Sequence, residues 1–249
     1  MTEDTYRDLA DRYDLMKRKN PDREEFFRRI FAHHDIKNVL DCACGTGNDL
    51  LLFNSLGLKL TGSDLSAAML GQADFKLKSK GLDIPLVKAD FRKLTDQFER
   101  KFDAVVCLSN SINELLDDID AIQALRSMKE VLKPGGICII DQAQTDALMK
   151  NPPRFSPVVN ERDFSRLFVQ EYFANEMVVN IFDFIHTESV NDFKSNSVRL
   201  AIRLQHDWAN LFDKAGFSQV DYLGSWLGDP YDKVKSMRLI MVGFNHEGH

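Results

Sequence analysis

Gly45 and Gly47 follow the apolar pair Val39-Leu40 and the acid Asp41 within a few residues, and an apolar run resumes at Leu50. Neither glycine carries a Cβ, so a ligand can approach the backbone closely there. A helix starting at this point offers unpaired N–H groups and positive potential. A second apolar run, 58–61, is followed by another acid, Asp64. Strand, glycine turn, helix, strand, acid is the order in which a βαβ unit holds a nucleoside, with the acid on the ribose hydroxyls. The stretch therefore reads as a nucleoside-cofactor site.

The elements that must position these residues follow from periodicity. Tyr6, Leu9, Ala10, Tyr13 and either Leu15 or Met16 lie close to helical spacing, predicting a helix over 3–16. Asn20-Pro21 interrupts it and restarts a helix whose stripe is Phe26, Phe27, Ile30 and Phe31. Strand two spans 58–64. Ser66 is an N-cap for a helix through 80, with Ala67, Leu70, Ala73 and Leu77 inward. Strand three, 84–89, ends at Asp90-Phe91, and strand four, 102–108, leaves through Ser109-Asn110-Ser111. A helix over 117–132 is closed by Lys133-Pro134-Gly135-Gly136, and strand five, 137–140, ends at Asp141. Such alternation makes an α/β fold, a mostly parallel sheet with helices on both faces. Asp41, Asp64, Asp90, Asn110 and Asp141 all fall at strand ends, the edge where such sheets bind ligands.

The pattern changes after residue 145. Asn151-Pro152-Pro153 breaks the chain, and 167–172, 177–184 and 197–204 read as strands of a small antiparallel β insert. A helix over 206–215 stops at Gly216, and 217–223 with 237–244 make an antiparallel end to the main sheet. One domain results: an N-terminal helical lid (1–35), a cofactor-binding core (36–146), a substrate-side insert (147–204), and a C-terminal helix and strand pair (205–249).

Composition narrows the function classes. The 249 residues are 44 % apolar, enough for a core, and the net charge of −6 gives no overall pull toward nucleic acid or an anionic membrane. The polar, acid-bearing start of the chain is unlike a signal peptide, and no apolar run has transmembrane length. A soluble cytoplasmic protein is expected. Cys42, Cys44, Cys107 and Cys138 lack zinc-ligand spacing with one another or with histidine. They read as buried thiols, and no metal is expected.

The word Asp41-x-Ala43-Cys44-Gly45-Thr46-Gly47 resembles the first motif of class I S-adenosylmethionine-dependent methyltransferases, and 105–111 and 132–136 are similar to later blocks. Within that superfamily the Ala-Cys-Gly-Thr-Gly wording, the Leu-x-Asn-Ser turn and the early Tyr13 resemble the glycine N-methyltransferase group. The resemblance implies a Rossmann-like sheet with an antiparallel C-terminal strand. It implies S-adenosylmethionine as cofactor, S-adenosylhomocysteine as product and a small-molecule methyl acceptor, with transfer to an amine nitrogen. It also implies roles: backbone around Ala43, Cys44, Gly45 and Gly47 under the methionine moiety; Asp64 on the ribose; Leu65 and Phe91 about adenine; Asp90 on its amino group; Leu108 near the sulfonium; Tyr13 as a lid. Asp41 belongs to the cofactor-binding set in this resemblance, its plainer role being to fix the turn by accepting backbone N–H bonds. Asn110, Gln142 and Tyr172 are candidates, by position, for orienting the acceptor, and Arg199 for a substrate carboxylate. Gln142-Ala143-Gln144-Thr145 departs from the basic and aromatic sequence of glycine methylation. A catalytically silent cofactor-binding partner or regulatory module is the alternative. A nicotinamide oxidoreductase would want a third glycine where Leu50 stands.

Overall fold

Pro21 opens the first α-helix, α1 (Pro21–His33), and Asn20 caps it by accepting the Arg23 amide at 3.1 Å. The structure, a computed structural model, describes residues 6–17, 19–99 and 101–246. Beyond α1 the chain alternates as the periodicity predicts: β1 (Asn38–Asp41), α2 (Asn48–Ser55), β2 (Lys59–Asp64), α3 (Ala67–Ser79), β3 (Leu86–Lys88), β4 (Phe102–Cys107), α4 (Asp118–Glu130) and β5 (Leu132–Gln142). Four strands, β6 (Phe155–Asn160), β7 (Phe164–Tyr172), β8 (Glu176–His186) and β9 (Asn191–Ala201), precede α5 (Gln205–Lys214), β10 (Gln219–Leu223) and β11 (Leu239–Phe244).

Seven strands form one sheet in the order β10-β11-β5-β4-β1-β2-β3. β1 to β5 pair in parallel, while β11 runs antiparallel to both β5 and β10. Alternate residues serve the two faces. Leu40, Val105, Cys107 and Ile140 pack with Leu125 and Met128 of α4 and Trp208 and Phe212 of α5. Val39, Val106, Ile139 and Val242 pack with Phe27 of α1, Leu50 and Phe53 of α2 and Leu77 of α3. Gly62 of β2 permits this second layer, because a Cβ there would lie 2.7 Å from Leu50 Cδ1 and 2.8 Å from Leu86 Cδ2. All four cysteines are buried and free.

The second sheet, β6-β7-β8-β9, is antiparallel throughout. It has one strand more than the apolar runs predict. β6 carries Pro157, which a sheet tolerates only at its edge, and β9 is an edge strand whose first five residues are exposed and polar apart from Phe193. β6 is the strand the apolar runs miss, while β9 carries its apolar positions, Val198 and Leu200, in its second half, where the spacing predicts a strand.

Two other expectations shift. The helix over 117–132 ends at Glu130, and Leu132 pairs with Phe102 as the start of β5, so the Pro-Gly-Gly word lies inside a strand rather than after a helix. The expected helix over 3–16 is a turn followed by a 3-10 helix, Ala10–Met16; residues 3–5 lie outside the described residues. Leu9 packs on Met177, Val179, Ile181 and Leu200 of the second sheet, so tertiary contact sets that geometry. Among the described residues no helix is long and apolar enough to cross a membrane.

Candidate functional site

The glycine turn between β1 and α2 closes against the end of β2. Gly45 and Gly47 take the left-handed conformation, at φ 51° and 80°. The Gly45 amide donates to Asp64 Oδ2 at 2.8 Å, and the Ser66 amide donates to Asp64 Oδ1 at 2.9 Å. One carboxylate thus joins the turn to the start of α3, and Ser66 caps α3 through the Met69 amide. Asp64 itself is half-buried at this strand end. Next to it Leu65 is 58 % exposed, an apolar side chain with no cover at a strand end.

Asp41 lies under the turn, buried, and accepts the Ala43 amide at 3.3 Å. Burial, with Asp49 nearby, pushes its carboxyl well above the ordinary range. Burial also works upward on Asp49, but Arg23 of α1 outweighs it and holds that carboxyl low. Arg23 forks onto both Asp49 oxygens, with Nη2 at 2.9 Å from Oδ2, and lies over the rings of Phe27 and Trp226. Its pairing with Asp49 is invisible in the sequence, since two separate helices supply it.

The N-terminal segment is tied down over the turn. Asp14 accepts from Thr46 Oγ1 and Asn48 Nδ2, each at 2.6 Å, and pairs with Lys76 of α3 at 2.5 Å. On the other side Arg166 of β7, fully buried and paired with Asp183, donates to the Arg12 carbonyl at 3.3 Å.

Beyond β4 the chain turns sharply. Ser109 and Asn110 both have positive φ, at 62° and 68°. Asp141 stabilises that turn, accepting the Ser109 amide at 2.8 Å while its other oxygen meets Arg238. Asn110 Oδ1 accepts the Ala143 amide at 2.7 Å. A cavity of about 310 Å³ opens here. Its walls are the N-terminal segment, this turn, the chain after β5 and one face of the second sheet.

The candidate residues divide on this geometry. Tyr13, Asn110 and Tyr172 line the cavity, and the Tyr172 hydroxyl donates to the Pro153 carbonyl at 2.9 Å. Burial lifts the Tyr13 hydroxyl to about 12, with Glu114 and Asp64 adding to it. Gln142 is not among the lining residues. It is fully buried on the opposite side, accepting from Asn113 and from Trp208 Nε1, each at 2.9 Å, and donating to Gln144 and Arg203 carbonyls. Its neighbours Ala143 and Gln144, just past the end of β5, are on the wall instead. Arg199 pairs with Glu176 at 2.6 Å and is exposed, away from the cavity. Leu108 is buried beside the turn, Cys44 packs in the core, and Phe91 is half-buried on the α4 side. Asp90 binds Arg92 by backbone and guanidinium; burial opposes these contacts, and they hold its carboxyl low.

Glu114 is the wall residue that strand-end positions do not reveal. Its side chain is exposed where it faces the open cavity, and Oε1 accepts the Tyr6 hydroxyl at 2.5 Å. The surrounding protein raises it to about 7; Tyr6 works against the rise and Asp64 adds to it.

Residues 39–136 match the family described as methyltransferase domain. Over 125 residues the chain is 34 % identical to the glycine/sarcosine N-methyltransferase of Aphanothece halophytica, covering 50 % of this chain and 47 % of that one. Over 146 residues it is 33 % identical to the glycine/sarcosine N-methyltransferase of Parasynechococcus marenigrum, covering 57 % and 52 %. The chain spans about half the length of these relatives. Its fold is similar to the crystal structure of a S-adenosylmethionine-dependent methyltransferase from Clostridium acetobutylicum, with TM-score 0.82, 19 % identity and coverage of 97 % and 99 % of the two chains.

Proposed function

We propose that this chain, which carries a methyltransferase domain at 39–136 within a class I methyltransferase fold, moves a methyl group from S-adenosylmethionine to an amine nitrogen of a small molecule. The observation that carries the proposal is the bond between the Gly45 amide and Asp64, which gives the glycine turn and the ribose-binding acid one shared corner. The N-methyltransferase names of the relatives support nitrogen as the target.

The residues present fit the cofactor. The Ala43–Gly47 backbone underlies the methionine moiety, Asp64 takes the ribose hydroxyls, Leu65 and Phe91 flank adenine, and Asp90 accepts from its amino group. Leu108 is at the reacting end and Tyr13, on the N-terminal lid, covers it. The bound sulfonium supplies an already activated methyl group, so the protein needs no covalent nucleophile. The chain's own work is to hold the acceptor in line and keep water out, an effect worth about 7–11 kcal/mol when the geometry is right. Asn110 and Tyr172, both on the cavity wall, orient the acceptor in this reading. Gln142 takes no part, because its carboxamide is bonded elsewhere.

The test is incubation of the purified chain with S-adenosylmethionine and separate panels of amines, alcohols and thiols, with product masses read by mass spectrometry. A 14-dalton gain confined to the amines is the expected result. S-adenosylhomocysteine binding with no methylated product from any panel would instead favour a silent cofactor-binding module.

A further inference from the structure

The cavity is chemically lopsided. Among its described lining residues Glu114 is the one carboxylate, and there is no lysine, arginine or histidine. Most of the remaining wall is apolar, as with Phe168, Met177 and Val179 from the second sheet. No described cation forms an ion pair with Glu114: Lys17, the basic side chain near this rim, donates to Ser109 Oγ at 3.3 Å and lies over the Tyr13 ring. A carboxylate on an otherwise apolar and aromatic wall is the point at which a ligand's cation finds a charged partner. Beside it Tyr6 and Tyr13 stand edge to face, with ring centroids 6.2 Å apart, and aromatic faces favour a cation's approach.

We propose that Glu114 anchors the methyl acceptor, and that the acceptor is a small amine on an apolar body, with no carboxylate or phosphate, which binds as its ammonium form and passes one proton to Glu114 before its nitrogen lone pair accepts the methyl group. The proposal rests on the methyltransferase reading above and narrows its substrate class. Tyr6 holds one oxygen of Glu114 and so fixes the carboxylate's direction, while the apolar wall receives the body of the amine. An amino-acid acceptor would bring a carboxylate into a space whose described lining holds no cation, Lys17 standing at its rim. Arg199, the sequence candidate for that task, is committed to Glu176 outside the cavity. A volume of about 310 Å³ suits a ligand of modest size.

The experiment is calorimetric titration of the protein, saturated with S-adenosylhomocysteine, with 2-phenylethylamine, cyclohexylmethylamine, their alcohol counterparts and glycine. No methyl transfer is involved. The expected result is binding of at least one amine about tenfold or more tighter than its alcohol, with no binding of glycine. In Glu114→Gln, which keeps the shape and an acceptor for Tyr6, the amine preference disappears while S-adenosylhomocysteine affinity stays unchanged. Alcohols bound as tightly as amines, glycine bound more tightly than the amines, no binding by either amine, or an undiminished preference in the Gln variant would each overturn the proposal. The amine–alcohol comparison uses the unaltered chain, so a variant that fails to fold leaves it intact. Failure of S-adenosylhomocysteine itself to bind would bring down the methyltransferase reading instead, a separately visible outcome.

Discussion

The backbone amide of Gly45 and the carboxylate of Asp64, nineteen positions apart, are hydrogen-bonded at 2.8 Å. That bond, with the Ser66 amide on the other oxygen, makes one rigid corner from two strand ends. A ligand held there stabilises the folded state by mass action. S-adenosylhomocysteine at a hundred times its dissociation constant is expected to add about 2.7 kcal/mol, raising the melting temperature by roughly 5–10 °C. NADH is expected to leave it unchanged. Differential scanning fluorimetry with both ligands checks this.

Gly62→Ala tests the packing behind the corner. The added methyl would stand 2.7–2.8 Å from the side-chain ends of the buried Leu50 and the half-buried Leu86. A loss of about 1–3 kcal/mol is expected from such overpacking, read as a lower urea midpoint with unchanged slope. A neutral substitution would mean that α2 sits further from β2 than described.

Arg23→Met removes the cation from Asp49 while Asp41 remains buried alongside. The pair is about four-fifths covered on each side, so the cost is expected near 2–3 kcal/mol, below that of breaking a wholly buried pair. Adding Asp49→Asn is expected to recover part of it, because the orphaned charge is then gone. Equilibrium denaturation of the single and double variants measures the coupling.

Acid should release the N-terminal segment. Burial works upward on Asp14, but Lys76, Thr46 and Asn48 outweigh it and hold its carboxyl below the ordinary range. A carboxylate depressed in the folded state stabilises above its unfolded pKa, about 3.9, and loses that contribution as pH falls through the lower folded value. At neutral pH, Asp14→Ala is therefore expected to exchange amide hydrogens faster over 6–17 than the unaltered chain. The difference should close as pH falls below the carboxylate range. Hydrogen-exchange mass spectrometry corrected for intrinsic rates resolves it.

Local spacing carried the parts of this fold that are local. The glycine turn, the Ser66 cap and the acids at strand ends are each set by a few neighbouring residues, and they appear where periodicity puts them. Relations between distant elements were not legible. Arg23 meets Asp49 because α1 and α2 pack together, and Glu114 gains its meaning from a cavity that the N-terminal segment and a sheet beyond residue 150 enclose. Gln142 shows a third limit. Strand-end position is readable, but in a strand buried on both faces the apolar pattern does not say which face a polar residue joins. Here Trp208 and Arg203 take it to the helix side.

Calorimetric titration of S-adenosylhomocysteine into Asp64→Ala, beside the unaltered chain, probes the shared corner most directly. The variant is expected to keep its circular-dichroism spectrum and show no heat of binding where the unaltered chain saturates. An equal affinity in the two proteins would contradict the ribose role of Asp64, and with it the methyl donor assigned to this site.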